Sequence, residues 1–121
     1  MKILTTFPPN YREISTAFGV RGRGVIFCYG DTIYNPMRVE VGPELIAHES
    51  VHSGRQNGSP EVWWRRYIAD PQFRLDEEIP AHRAEYLVSG RLEDIARRLA
   101  SPLYGSLISI ERAIKVLEHN A

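Results

Sequence analysis

His48 and His52 stand four residues apart in a stretch whose two ends read as those of one helix, and this pairing constrains the chain more than any other feature. Val41-Gly42-Pro43-Glu44 opens the stretch. Proline suits a first helical turn, where its missing N–H is not needed, and Glu44 suits the positive end of the helix dipole. Asn57-Gly58 closes it, because glycine accepts the left-handed conformation that ends helices. Leu45, Ile46, Ala47 and Val51 supply an apolar side, and Arg55 and Gln56 sit near the C-terminal end as expected. The predicted helix runs from about Pro43 to Asn57. Each residue turns ~100° and rises ~1.5 Å, so the two histidines lie one turn apart on one face. They are near enough to grip one metal ion, and Glu49 projects beside them.

His48-Glu49-Ser50-Val51-His52 has the form H-E-x-x-H, a short zinc-binding pattern. Zinc lowers the pKa of a bound water from ~15.7 to ~7 and polarises a carbonyl. A carboxylate beside that water, here Glu49, can accept its proton and pass it to a leaving amine. Such a site usually takes three protein ligands and keeps one position open. The third must come from elsewhere, and Asp70 to Glu85 offers it. Pro80 is tolerated in a first turn and awkward in a helix interior, so a helix is predicted from near Asp76 to Ser89-Gly90, with Glu78 in its first turn. Glu78, His82 and Glu85 then fall at i, i+4 and i+7 on one face, amid Ala81, Ala84, Tyr86 and Leu87.

The two halves, His48 to His52 and Glu78-Ile79-Pro80-Ala81, resemble the gluzincin clan of zinc metallopeptidases, in a small single-domain form. The likeness covers about Met37 to Arg91, and its second motif is much less specific than its first. It implies one zinc ion, His48, His52 and Glu78 as ligands, and Glu49 as general base. The metzincin pattern does not fit, because Arg55 and Gly58 stand where it wants Gly and His. One departure is that His82 occupies the place where gluzincins often carry a carboxylate that orients a zinc-bound histidine. His82, Glu85 and Tyr86 are therefore candidates for orienting a ligand or touching substrate. Glu77 stays a second candidate for third ligand, since helix starts shift by a residue or two. Tyr86, His82, Tyr67 and Arg83 are unranked candidates for stabilising an oxyanion.

Around this motif the chain reads as one domain over residues 1–121, with 43% hydrophobic residues to build a core. Fifteen basic and fifteen acidic residues leave no net charge, which argues against nucleic acid or an anionic membrane as partner. The lone Cys28 and the short N-terminal apolar run suit a cytoplasmic protein. Lys2 to Phe7, Val25 to Tyr29 and Thr32 to Tyr34 read as strands, the last two joined by the hairpin signal Gly30-Asp31. Met37 to Val41 alternates like a half-buried strand, and the resemblance implies that it pairs with an extended substrate. Short helices are predicted from Asn10 to Gly19, from Ser59-Pro60 to Tyr67 or Ala69, from Arg91 to Leu99 and from Leu103 to Glu118. Arg65, Arg66, Arg97 and Arg98 read as solvated helix faces, and Trp63, Trp64 and Tyr67 as core. The expected fold is α+β: a small N-terminal antiparallel sheet followed by a helical bundle, zincin-like by the resemblance. The expected function is zinc-dependent hydrolysis of a peptide or protein substrate. The alternatives are a zinc domain of the same fold that binds a peptide or protein without cleaving it, and a helical module whose motif is fortuitous.

Overall fold

The computed structural model describes residues 1–119, and among these the fold is mixed α+β and mostly helical. Strand β1 (Lys2–Leu4) leads through α1 (Tyr11–Phe18) to the hairpin β2 (Phe27–Tyr29) and β3 (Thr32–Tyr34). The sheet order is β1-β3-β2. β2 and β3 are antiparallel across Gly30-Asp31, where Gly30 takes the left-handed φ of +65° that the tight turn needs. β1 runs parallel to β3, so the sheet is mixed and not antiparallel as expected. After α1 the chain enters β2 running opposite to β1, and the hairpin then reverses it, so β3 lies beside β1 in the same direction.

Met37 to Val41 is not a strand. Asn35 takes over the pairing that a ladder would have supplied. Its amide donates to the Val39 carbonyl at 2.8 Å, its side-chain oxygen accepts the Val39 N–H at 3.0 Å, and Arg38 is left-handed at φ +54°.

Helix α2 (Pro43–Gln56) carries the histidines and ends on left-handed Asn57. α3 (Pro60–Ala69) packs beside α4 (Pro71–Ser89), which in turn lies along α2. α4 starts five residues before the expected Asp76. The Asp70 carboxylate caps it by accepting the N–H groups of Gln72 and Phe73 at 3.0 and 3.2 Å, and Pro71 sits in the first turn. Pro80 therefore lies inside the helix, and Glu78 lies in mid-helix rather than in the first turn. A proline there forfeits the bond to the Asp76 carbonyl at a cost of ~3 kcal/mol or more; burial of the α4 face against α2 offsets it. α5 (Leu92–Leu99), a 3-10 turn (Pro102–Tyr104) and α6 (Ile110–Glu118) finish the chain. α6 begins later than the expected Leu103, because Ser109 caps it by accepting the Arg112 N–H at 3.1 Å.

Two apolar clusters flank the α2–α4 seam. Ile14, Val20, Phe27, Trp63, Trp64 and Tyr67 form one under the sheet, and Ile95, Ala96, Leu99, Ala113 and Leu117 form the other between α5 and α6. Among the described residues no helix is long and apolar enough to cross a membrane.

Candidate metal centre

The seam between the clusters is polar and buried. His48, Glu49 and His52 from α2 are each 5% exposed, and Glu78, His82 and Glu85 from α4 are 3%, 0% and 3% exposed. Glu78 stands between the two histidines. His48 Nε2 is 3.3 Å from its Oε1, and His52 Nε2 is 3.1 Å from its Oε2. Metal–ligand bonds of about 2.0–2.1 Å in a tetrahedron put ligand atoms about 3.3 Å apart, so these spacings match the edge of a zinc tetrahedron. Ligand atoms of His48, His52 and Glu78 all lie within 4.8 Å of one another, and the three could hold one metal ion.

The surroundings set each group's state. His48 Nδ1–H donates to Glu85 Oε1 at 2.9 Å, which directs Nε2 at Glu78. Arg98 donates to the other Glu85 oxygen, so it is not the solvated residue its sequence setting suggested. The Tyr67 hydroxyl donates to Glu78 Oε2 at 2.5 Å, while Glu78 Oε1 is buried without a hydrogen-bond partner. That free oxygen suits a ligand atom. His52 Nδ1 also lacks a partner, and its ring is steered by the edge of Trp63 at 5.2 Å. Glu49 Oε2 lies 3.5 Å from His48 Nε2.

Burial works against a charged His48, yet Glu49, Glu78 and Glu85 outweigh it and lift the imidazole to about 10. Burial likewise opposes a charged Glu78, but His52, His48 and His82 hold its carboxyl well below the usual range. Burial drives Glu49 upward against the pull of His48 and His52. Beside Glu49, Glu78 and Glu85 the cations are Arg98 and the protonated His48, and a divalent metal would take over the charge of the histidine proton that its binding displaces.

The other candidates part company here. Glu77 lies outside the His48–His52–Glu78 group: its oxygens accept Trp63 Nε1 at 2.7 Å and Arg55 Nε and Nη2 at 3.0 and 2.7 Å. His82 donates from Nδ1 to the Glu78 carbonyl at 2.8 Å and packs its ring 4.6 Å from that of His48, so it props the ligands from behind. Burial pushes its imidazole down, toward the neutral form. Glu85, not His82, is the α4 side chain that hydrogen-bonds through its carboxylate to a histidine of α2. Tyr86 is not at the centre and packs on the α5–α6 cluster; Arg83 donates to the Val116 carbonyl. Gln56, Arg98 and Tyr104 stand at or beside the centre without being marked as site residues by the sequence. Gln56 ties the hairpin to α2, accepting the Gly30 N–H at 2.7 Å and donating to the Cys28 carbonyl at 2.8 Å. Its burial at a helix end had no local signal.

A cavity of about 70 Å³ lies on the His52 side, against Cys28, Trp63 and Tyr67. Another of about 140 Å³ lies on the Glu85 side, against Leu45 and Arg98. No protein-family model matches the chain, and neither the curated proteins nor the solved structures hold a significant match to it.

Proposed function

We propose that the protein is a zinc-dependent hydrolase of peptide bonds, acting on a peptide or protein, with a zincin-like arrangement of its two central helices. The observation that carries this reading is the convergence of His48 Nε2, His52 Nε2 and the Glu78 carboxylate, with Glu49 Oε2 3.5 Å from His48 Nε2. His48, His52 and Glu78 would hold the ion. When bound, zinc supplies an activated water and polarisation of the substrate carbonyl. Glu49 stands where it can take a proton from that water and deliver it to the leaving nitrogen. Glu85, braced by Arg98, keeps the Nε2 of His48 directed at the ion. Tyr67 donates to Glu78 Oε2, while Oε1 is without a hydrogen-bond partner and would be free to serve as a ligand atom.

The smallness of the cavity beside His52 favours a second reading, in which the same ion has a structural role and the chain binds without cleaving. Zinc analysis of protein purified without added metal tests both against a fortuitous motif. Turnover of a peptide library by wild type and Glu49→Gln, each loaded with zinc, separates the first two.

A further inference from the structure

A peptide needs more room at this centre than the structure provides. Ligand clefts commonly offer about 300–1,000 Å³, whereas the two cavities here are about 70 and 140 Å³. Val25, Ile26, His48, Glu49, Leu103 and Tyr104 line both, so Val25 and Ile26 together with Leu103 and Tyr104 form a partition between the two.

The two halves of that partition are held differently. Val25 and Ile26 lead into β2, which is paired to β3 and tied to α2 through Gln56. Leu103 and Tyr104 ride on the 101–109 connection between α5 and α6. Its backbone bonds are local: Tyr104 N–H to Ser101, Gly105 N–H to Pro102, Ser106 N–H to Ser101, and Ser101 N–H to Arg98. Among the described residues its hydrogen-bond tie to the remainder of the fold is Arg74 Nη1 to the Tyr104 carbonyl at 2.9 Å. The turn leaves through two left-handed residues, Gly105 at φ +103° and Ser106 at φ +54°. The Tyr104 ring rests edge-on against His82 at 5.2 Å. Few distant hydrogen bonds place a segment toward the low-stability end of a fold, and here the apolar contacts of Leu103 and Ile108 with the two clusters are what hold it down.

We propose that the 101–109 connection is a lid, with Leu103 and Tyr104 as its closing surface, and that it lifts to join the two cavities into one groove across His48 and Glu49. Its purpose rests on the hydrolase reading; its geometry does not. The moving part is this turn and not α1, whose Ile14 is 1% exposed in the core.

Cys28 reports on the opening. It is the only cysteine of the chain, is 2% exposed and lines the cavity that Leu103 and Tyr104 cover. The experiment follows its modification by methyl methanethiosulfonate, read by intact mass, in zinc-free protein across low urea concentrations. Wild type, Leu103→Ala, Tyr104→Ala and Leu117→Ala are compared, the last lowering global stability from the α5–α6 cluster, to which neither Leu103 nor Tyr104 belongs. A lid predicts labelling nearly independent of urea in the wild type, at least tenfold faster in Leu103→Ala or Tyr104→Ala, and changed less than twofold in Leu117→Ala. Labelling that rises steeply with urea from zero and tracks global stability in every variant overturns the lid. Urea-independent labelling unmoved by either lid substitution overturns it too, since another segment then opens. If the lid variants do not fold, the urea dependence of the wild type decides. No zinc is present, so a failed hydrolase reading leaves the result intact. Conversely, zinc binding and turnover without local access to Cys28 would sink the lid alone.

Discussion

The α5–α6 interface and the α2–α4 interface are both buried, and they are built on opposite principles. Ile95, Leu99, Ala113 and Leu117 meet with no polar group among them. Each fully buried leucine or isoleucine contributes ~1.5–3 kcal/mol from desolvation alone. Across α2–α4 the groups facing one another are His48, Glu49, His52, Glu78, His82 and Glu85. Burying those charges opposes folding unless they are paired and hydrogen-bonded. The first interface supplies stability without needing an accurate arrangement of charges. The second costs stability and holds ionisable groups in one geometry, which is what a chemical site requires.

The sharpest break in this comparison comes from Glu49→Gln. Gln keeps the shape but accepts no proton, so hydrolysis by zinc-loaded protein should fall by ~10²–10⁴. Metal analysis should show unchanged zinc, because the ligands are untouched. Equal turnover by mutant and wild type would remove Glu49 from the chemistry.

Next in size, Leu117→Ala should lower stability by ~2–5 kcal/mol in urea melts, by the same amount with and without zinc. A zinc-dependent difference would mean that the two interfaces are coupled and the contrast between them is too simple.

Zinc at about 100 times its Kd should stabilise the wild type by ~2.7 kcal/mol, seen as a higher melting temperature that chelator reverses. His52→Ala and Glu78→Ala should abolish that response, while Glu77→Ala, whose carboxylate is spent on Arg55 and Trp63, should retain it. Retention by Glu78→Ala together with loss by Glu77→Ala would exchange their roles.

A smaller effect should follow Arg98→Met. Freed from Arg98, Glu85 orients His48 less firmly, and zinc affinity in a competitive chelator titration should drop about 10-fold, within the ~10–100-fold seen for partners of ligands. Smallest of all, Ser109→Ala should cost ~1 kcal/mol by removing the α6 cap and leave zinc affinity alone.

Much of the local structure was legible in the sequence. Pro43 and Asn57 bound α2, Gly30-Asp31 turns the hairpin, and the i, i+4, i+7 spacing of Glu78, His82 and Glu85 puts all three on the buried face of α4. The errors came from competing interactions. Pro80 points to a helix start near Asp76, because proline is costly inside a helix, and the Asp70-Pro71 cap overrides it by starting α4 five residues earlier, at Pro71. Met37 to Val41 alternates like a strand, and the Asn35 side chain satisfies its backbone in another way. Arg98 sits on a helix with Glu93 and Arg97, which do form an exposed pair, and nothing nearby reveals that Arg98 reaches Glu85.

The sequence by itself determined which residues share a helix face, because that depends on a rise and a turn per residue that are the same in every helix. It therefore brought His48, Glu49 and His52 together, and Glu78 with Glu85. Which carboxylate meets which histidine was decided by the packing of α2 on α4, across sequence separations that no local rule spans: His48 to Glu85 and His52 to Glu78. The same holds for the supports that Tyr67 and Arg98 provide and for the turn that closes over the centre. Those contacts exist only once apolar burial on both sides has pressed the helices together.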